Sequence, residues 1–515
     1  MKRRDLSRID GHSFDLLVVG GGIVGAGVVR DAAARGLSCA LVDAGDFASG
    51  TSSKTTKLIH GGIRYLEQFD FGLVRESLRE RALLLKLAPR LVQPLRFLIP
   101  VRGNRPRPWP LIRVGIWLYD RLAGKSVLES SAVVVGKKLF EIEPKLASSG
   151  IEKAALYSDA QMDDVRLVLE NLRLADEAGA VLANHLRVQS WIIEQGKIAG
   201  AELKDVLTGR MLSVRAKVVV NTTGPWADRL RRLAEPSLKP LVRPSKGIHL
   251  VYPDLGFRHA LLLSAPKDDR VFFLIPWRGM SLIGTTDTDY EGDPSAVSAE
   301  AADIDYLIRE TNAVLPGLDL RKERVIASFA GVRPLVADEK KDPWAVSRSH
   351  KIHTDSNGLI TIVGGKFTTY RAIAQEAVDH LDSLFKEKQL ELCHTAIFPL
   401  GCADGNWRSP EIQSLMQELL KSGVLHPAQG SRLVQRYGKG ALKIFEWIKE
   451  DPSSAQLLCQ HHPFIRAEIR YAAEEEMAMT RDDILSRRLQ VSLTPCRGDD
   501  FPSSVMEGLF SGRAS

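Results

Sequence analysis

A short segment of the chain concentrates groups that bind anions. The stretch TSSKTTKLIHGGIRYL, residues 51–66, places Lys54, Lys57, His60 and Arg64 within eleven residues. Almost no acid accompanies them, whereas a solvated helix normally mixes both signs of charge. Hydroxyl side chains precede the cations, and two glycines interrupt them. These residue types predict a site that holds something anionic, although Lys54 and Lys57 by themselves are also compatible with a solvated surface.

The preceding residues carry a nucleotide-binding pattern. FDLLVVGGGIVGAGVVRDAAARGLSCALVDAGD is predicted to form a strand from Leu16 to Val19, a turn, a helix that ends at Gly36, and a second strand. Gly20, Gly22 and Gly25 form the series GxGxxG, which permits a tight turn, close approach of a pyrophosphate and close packing of helix on strand. Asp43 closes the second strand, where a carboxylate binds a ribose hydroxyl. The pattern predicts dinucleotide binding.

Two later glycine turns favour FAD over NAD. Val218 to Val220 are predicted to form a strand that leads to Gly224 and a helix. Leu359 to Val363 form another, followed by Gly364, Gly365, Lys366 and a long helix. A helix N-terminus and a lysine aimed at one point would stabilise the negative charge of a reduced flavin.

With these motifs in view, the sequence resembles the FAD-dependent glycerol-3-phosphate dehydrogenases, within the D-amino-acid-oxidase-like flavoproteins. The resemblance spans about residues 14 to 380, and KLIHGGIRYLE, GVRPL and GGKFTTYR are its most specific motifs. Two departures are small: Asp43 replaces a common glutamate, and Thr222 replaces an alanine. The helix-rich sequence after residue 400 resembles the family's C-terminal domain more loosely.

The resemblance implies roles for individual residues. It places Ser52, Ser53 and Thr368 along the FAD with the glycines and Asp43. The resemblance also implies that Arg64 and Tyr65 face the substrate phosphate. Arg333 of GVRPL and Lys366 would complete a cationic cluster drawn from three distant segments. A phosphate dianion needs several charge-assisted donors, whereas a neutral sugar or an amino acid does not need three cations.

The implied reaction is oxidation of sn-glycerol 3-phosphate to dihydroxyacetone phosphate, with hydride transfer from C2 to flavin N5. The hydroxyl must also lose its proton, and a histidine suits that step. His60 in IHGG and His249 in SKGIHLVY both resemble active-site positions of the family, so both are candidates. His249 is also a candidate flavin contact.

The expected fold class is α/β. We predict a discontinuous Rossmann-like FAD domain from 1–70, 150–240 and 345–385, and a substrate-binding cap with an antiparallel sheet from 71–149 and 241–344. A helical C-terminal domain follows over 395–515. The length of 515 residues suits two or three domains. The five cysteines include no CxxC pair, and we predict reduced thiols and no metal site.

A basic and aromatic segment is a candidate membrane contact. RFLIPVRGNRPRPWPLIRVGIWLYDRLAG contains six arginines with Trp109 and Trp117, and residues 111 to 122 are predicted to form a helix. A buried helix beside a basic loop is the alternative. The family passes electrons to membrane quinone, so we expect a cytoplasmic protein attached to the inner face of the cell membrane, which is an anionic surface. We expect no nucleic-acid partner, and a homodimer is the candidate assembly.

Two other functions remain open at this stage. One is a related oxidase, such as a glycerol-3-phosphate oxidase that uses oxygen or an amine or amino-acid oxidase. The other is a non-catalytic flavin-binding protein. The cationic residues disfavour amine substrates, and the complete set of motifs disfavours an inactive protein.

Overall fold

The computed structural model of the chain describes residues 1, 4–101, 108–126, 128–337, 350–385, 387–400 and 410–502. Its strands are β1 (Ser13–Val19), β2 (Cys39–Val42), β3 (Leu58–Ile59), β4 (Val92–Val101), β5 (Ala132–Val135), β6 (Lys153–Met162), β7 (Val181–Ala183), β8 (Leu186–Glu194), β9 (Lys197–Asp205), β10 (Met211–Asn221), β11 (Val242–Pro253), β12 (Ala260–Ser264), β13 (Val271–Trp277), β14 (Met280–Gly284), β15 (Thr288–Asp289), β16 (Ala327–Val336), β17 (His350–Thr354) and β18 (Ile360–Gly364).

Helices cover the sheets and form most of the C-terminal region. They are α1 (Ile23–Ala34), α2 (Phe71–Leu87), α3 (Trp109–Ala123), α4 (Lys137–Ile142), α5 (Asp164–Glu177), α6 (Ala227–Ala234), α7 (Ala301–Val314), α8 (Tyr370–Asp382), α9 (Pro410–Lys421), α10 (Pro427–Tyr437), α11 (Gly440–Glu450) and α12 (Arg466–Glu475). Within the described ranges, no helix combines the length and apolar character needed to cross a bilayer.

The first sheet has the parallel centre expected of a dinucleotide-binding fold. Its strand order is β17-β18-β10-β1-β2-β7, with β8 and β9 added through β10. Strand β1 lies parallel to β2 and β10, and β10 lies parallel to β18. Every residue of β1 after Ser13 is buried, because helices α1, α5 and α8 cover one face of the sheet and β8 and β9 pack on the other. The Rossmann-like prediction is confirmed.

The second sheet is largely antiparallel and has the order β15-β11-β14-β13-β12-β4-β6-β3, with β16 on β11 and β5 on β6. Strands β13 and β14 form a hairpin whose turn lies at residues 278 and 279. Strands β4 and β12 pair in parallel, which is the exception to the antiparallel pattern. Strands β3 and β6 belong to this sheet although the predicted bounds place them in the FAD domain, so those bounds remain a prediction.

The ends of these strands meet around one space. The β1–α1 turn, the turn after β10 and the turn after β18 lie at the carboxyl edge of the first sheet, where parallel sheets bind ligands. Strands β11 and β16 pair along ten residues and bring His249 and Arg333 from the second sheet towards the same space. The functional site therefore lies between the two sheets.

Candidate active site

A cavity of about 1100 Å³ lies between the sheets. This volume is just above the range of roughly 300–1,000 Å³ that is typical of ligand pockets. Most of the site residues predicted from the sequence line it: Gly20, Gly22, Asp43, Ser52, His60, Arg64, Tyr65, Gly224, His249, Arg333, Gly364, Gly365, Lys366 and Thr368. Residues from positions 20 to 368 therefore converge on a single site.

The first glycine turn is closely packed. Gly20 has a φ of +111°, and a Cβ there would lie 2.8 Å from the carbonyl carbon of Thr222. A Cβ on Gly25 would lie 1.9 Å from the oxygen of Gly20, so only glycine allows α1 to approach β1 so closely. Gly25 thus has the packing role expected of it and does not line the cavity itself.

The N-terminus of α1 opens onto the cavity through Gly22, Ile23 and Val24. The Ile23 N–H donates to the Ser52 hydroxyl at 2.9 Å, which links the turn to the basic segment. The neighbouring Ser53 is placed differently: its hydroxyl donates to the Gly50 oxygen at 3.4 Å and lies outside the cavity lining. A helix N-terminus with a hydroxyl beside it suits a pyrophosphate.

Asp43 stands at the end of β2, as the pattern predicts. Its carboxylate accepts hydrogen bonds from the N–H groups of Gly21 (2.6 Å) and Gly45 (2.8 Å). Burial raises the pKa of Asp43 to about 6, with a smaller contribution from Asp46, against the lowering effect of these two bonds. The side chain is therefore braced at the cavity wall, where a ribose hydroxyl can be bound.

Two cations lie close to the ring of Tyr65. The Lys366 ammonium lies 3.8 Å from the centre of its ring, and the Arg64 guanidinium lies 5.0 Å from it. Lys366 also donates to the Ser77 hydroxyl at 3.2 Å. The aromatic ring holds both cations in position, because its face attracts positive charge.

Arg333 approaches from β16. One guanidinium nitrogen donates to the Thr285 hydroxyl at 2.7 Å, and another donates to the Thr286 oxygen at 3.2 Å and to Asp287 at 3.3 Å. A Cβ on Gly247 would lie 2.2 Å from the guanidinium, so the absence of a side chain there leaves room for it. The arginine fork is fixed on one side by these contacts.

Asp287, which lies just after β14, is a further site residue that was not predicted from the sequence. Asp287 pairs with Arg333 and lines the cavity. It also influences Arg64: burial lowers the pKa of Arg64, but the nearby Tyr65 and Asp287 outweigh this effect and raise it overall. Asp287 thus lies within electrostatic reach of both arginines and offsets one of their charges.

His249 is a buried, neutral imidazole at the cavity wall. Its Nε2 shares a hydrogen bond of 2.9 Å with the Thr56 hydroxyl, and its ring stacks on Phe329 at 4.8 Å between centroids. Burial, followed by the charges of Arg333 and Lys57, lowers its pKa well below 6.5. Nδ1 finds no hydrogen-bond partner within the described part of the chain. The ring is therefore unprotonated at neutral pH, with one of its two nitrogens free of hydrogen.

His60 lies within the basic segment 51–66, directly after β3. Its main chain is tied to Thr368, whose hydroxyl accepts from the His60 N–H at 3.2 Å and donates to the His60 oxygen at 3.3 Å. This pair joins the basic segment to the turn that carries Lys366. His60 lines the cavity along with its partner.

The suggestion that Lys54 and Lys57 are solvated is wrong for Lys57. Its side chain is 2% exposed and forms an ion pair of 2.8 Å with Asp164. Lys54 is half-buried and lines the cavity, and burial lowers its pKa, followed by the charges of Lys57 and Arg487. The acid missing from the local sequence comes from α5, more than one hundred residues later.

The C-terminal region also reaches the cavity, a contribution that the sequence analysis missed. Asp482 and Arg487 are part of the lining. Arg487 pairs with Asp46 and with Asp483, and Arg488 donates to Asp46 at 2.6 Å and 2.8 Å. These buried ion pairs attach residues 482–488 to the end of β2.

Family models match nearly the whole chain. One that describes an FAD dependent oxidoreductase matches residues 15–380. A second, which describes the C-terminal domain of alpha-glycerophosphate oxidase, matches residues 393–507. The two matches leave residues 381–392 between them.

Individual relatives agree with these matches. Glycerol-3-phosphate dehydrogenase 2 of Mycobacterium tuberculosis is 37% identical over 507 residues, which cover 97% of this chain and 85% of that protein. The aerobic glycerol-3-phosphate dehydrogenase of Bacillus subtilis is 35% identical over 497 residues, covering 94% and 88%. The crystal structure of a glycerol-3-phosphate dehydrogenase from Bacillus halodurans, complexed with FAD, has a TM-score of 0.80 at 30% identity and covers 98% of this chain and 92% of that one.

Proposed function

Since the chain belongs to the family of FAD-dependent glycerol-3-phosphate dehydrogenases, we propose that it oxidises sn-glycerol 3-phosphate to dihydroxyacetone phosphate. FAD is its cofactor. The observation that carries the substrate proposal is the meeting of Arg64, Arg333 and Lys366, from three distant segments, at one cavity.

The cavity residues fit FAD. The α1 N-terminus and Ser52 would hold the pyrophosphate, and Asp43 would accept the ribose hydroxyls. Gly364, Gly365 and Lys366 lie where β18 gives way to the helical turn Phe367–Thr369, a position suited to the flavin ring. These residues would hold FAD, which would supply the acceptor for a hydride from C2 of the substrate.

The cations of the site suit a phosphate dianion. Arg64, Arg333 and Lys366 supply positive charge beside the carboxylate of Asp287, and a phosphate monoester carries about −1.5 to −2 at pH 7. Arg333 would offer its fork to two phosphate oxygens, with Arg64 and Lys366, the two cations near the Tyr65 ring, as further donors. With the phosphate held in this way, the C2 hydroxyl would occupy a fixed position in the cavity.

His249 is our first candidate for the group that accepts the hydroxyl proton. Three features support it: the ring is neutral at pH 7, Nδ1 lacks a partner within the described part of the chain, and Thr56 fixes its orientation. A phosphate bound to Arg333 would offset the charge that lowers the pKa of His249, so substrate binding would make the imidazole more basic. His60 is the second candidate, because it lines the same cavity beside Thr368.

The two histidines are separated by parallel substitutions. His249→Gln keeps a partner for Thr56 and should lower kcat roughly 10²–10⁴-fold if His249 is the base, with FAD content unchanged. His60→Gln and the exposed His380→Gln should then have small effects. A large loss of kcat in His60→Gln, with His249→Gln near the wild type, would transfer the role to His60.

Membrane quinone is our proposed electron acceptor, and α3 is the proposed contact with the membrane. The helix runs from Trp109 to Ala123, close to the predicted 111–122. Val114 and Trp117, each 57% exposed, lie one turn apart beside the exposed Leu111, and Arg113 and Arg121 are exposed next to them. An apolar face flanked by arginines suits an anionic lipid surface.

Not every arginine of this segment belongs to that contact. Arg96 donates to the Ser158 hydroxyl at 2.8 Å and is partly buried on β4. Arg105 and Arg107, which the sequence analysis also favoured, lie outside the described residues. The test therefore uses positions on α3 alone.

Vesicle binding tests the membrane contact. The wild type should pellet with vesicles of anionic lipid at low salt and be partly released at high salt, because each arginine near the surface contributes about 1 kcal/mol. Leu111→Ser combined with Trp117→Ser should reduce pelleting, whereas Leu392→Ser, at a position 81% exposed, should not. Flavin reduction by substrate should be unchanged in all three proteins. Equal pelleting of the α3 variant would contradict the assignment.

The acceptor itself is tested by turnover. We expect faster reduction of a quinone analogue when anionic lipid is present. Rapid turnover with oxygen and release of peroxide, without lipid dependence, would replace the quinone proposal by the oxidase alternative.

A further inference from the structure

Three metal-binding side chains meet in the C-terminal region, far along the chain from the flavin motifs. One donor atom each of Cys459, His462 and Cys496 lies within 4.8 Å of the other two. His462 Nε2 lies 3.1 Å from Cys496 Sγ. The prediction that the cysteines form no metal site overlooked the spacing of three residues between Cys459 and His462, and it had no means to bring in Cys496.

We propose that these three residues bind one Zn²⁺ ion. Zinc bonds of about 2.3 Å to sulfur and about 2.0–2.1 Å to nitrogen place tetrahedral donors about 3.6–3.8 Å apart, so the observed cluster needs only small adjustments. Two thiolates balance the charge of the ion, and their protons pass to solvent on binding. All three residues are partly exposed, which leaves the fourth position to a water molecule.

The orientation of His462 supports this site. Its Nε2, rather than its Nδ1, faces Cys496 and the Thr494 hydroxyl, which lies 2.8 Å from Nε2. A disulfide between Cys459 and Cys496 would need no histidine at this place. A metal ion accounts for all three donors together.

The site would join two separate parts of the C-terminal region. Cys459 and His462 lie in the loop between the bridge residues Leu457 and Ile465, just before α12. Cys496 follows the segment that carries Arg487 to the wall of the flavin cavity. An ion at this place would fix that segment against the loop, because metal binding is coupled to folding of the residues it joins.

A second cluster in the described ranges shows what a purely structural group looks like. Asp46, His185 and Asp483 also converge. There Arg487 and Arg488 already pair with the two carboxylates at short distances. Those arginines supply the positive charge that a metal ion would bring. Among the described contacts of the cysteine cluster there is no arginine or lysine partner.

Cobalt titration tests the proposal on the full chain with FAD bound. The protein is reduced, stripped with a chelator, desalted without oxygen and titrated with Co²⁺, whose thiolate complexes absorb in the near ultraviolet. We expect one equivalent to bind and Zn²⁺ to displace it. Cys459→Ser and Cys496→Ser should lose the thiolate absorption, and His462→Ala should bind at least about tenfold more weakly. Cys393→Ser and His461→Ala are the matched controls and should bind like the wild type.

A second measurement needs no variant. One equivalent of Zn²⁺ should protect Cys459 and Cys496 of the wild type from alkylation, as read by mass spectrometry of peptides, and leave Cys393 reactive. No stoichiometric uptake, equal uptake by the cysteine variants, or alkylation that ignores Zn²⁺ would overturn the proposal. Finding a Cys459–Cys496 disulfide that binds no metal after reduction would overturn it as well.

Discussion

Arg333 provides the sharpest test of how the site recognises phosphate. Replacing it by alanine removes the guanidinium that Thr285, Thr286 and Asp287 hold in one plane. In the proposed complex the guanidinium would form two charge-assisted bonds to phosphate, each worth about 1.5–3 kcal/mol. Their loss should cost about 3–6 kcal/mol of transition-state stabilisation, a fall of roughly two to four decades in kcat/KM.

Asp287 makes this prediction more specific. In Arg333→Ala it loses the arginine while Ser245 still donates to it, and its carboxylate then repels the incoming phosphate. Asp287→Asn should therefore restore part of the activity in the Arg333→Ala protein, with a coupling of about 0.5–3 kcal/mol between the two positions. Arg333→Lys keeps the charge but loses the fork, and it should fall between the wild type and the alanine variant.

The assay is steady-state oxidation of glycerol 3-phosphate with a dye acceptor, alongside FAD content from absorbance. Glycerol is the uncharged control substrate, and its kcat/KM should change little in Arg333→Ala. Normal kcat/KM for glycerol 3-phosphate in this variant, with full FAD content, would refute the role of Arg333. An equal loss on both substrates would show that the residue acts on something other than the phosphate.

Three further predictions concern residues around the same cavity. Asp164→Asn leaves the Lys57 ammonium buried without its carboxylate and should lower the free energy of unfolding, measured in urea, by about 3–5 kcal/mol. The double variant Lys57→Met with Asp164→Leu should recover part of the lost stability. An unchanged unfolding midpoint in Asp164→Asn would contradict the buried pair. The pKa of His249 is lowered on folding, so its contribution to stability is present above pH 6.5 and is lost below it. As pH falls below 6.5, the free energy of unfolding of the wild type should fall by up to about 1.4 kcal/mol per pH unit more than that of His249→Gln. Parallel plots of unfolding free energy against pH for the two proteins would refute this. Asp43→Ala should weaken FAD rebinding to the apoprotein about ten- to hundredfold, and unchanged binding would exclude the ribose contact.

Local patterns predicted the parts of this molecule that depend on local geometry. Glycine is required at position 20, where the end of β1 approaches Thr222, and at position 25, where α1 approaches β1; the sequence shows both requirements as glycine spacing. The apolar runs of β1, β10 and β18 are readable because strands buried on both faces are continuously apolar.

Long-range partners could not be predicted in this way. Lys57 looked unpaired because its acid, Asp164, lies on a distant helix. Cys496 meets Cys459 only through the fold of the C-terminal region. Asp287 was not predicted to belong to the site, because its effect depends on the position of Arg333, which comes from strand β16. Sequence spacing specifies which element a side chain occupies, and the fold decides which charges become neighbours.

Anaerobic reduction of the bound FAD tests the central claim most directly. The purified chain is mixed with glycerol 3-phosphate, glycerol or a phosphorylated compound that lacks an oxidisable hydroxyl, and the flavin absorbance is followed. The account predicts rapid bleaching by glycerol 3-phosphate alone, with dihydroxyacetone phosphate as the product and a rate reduced by Arg333→Ala. Bleaching by glycerol at a similar rate, or no bleaching of a fully loaded protein by glycerol 3-phosphate, would contradict it.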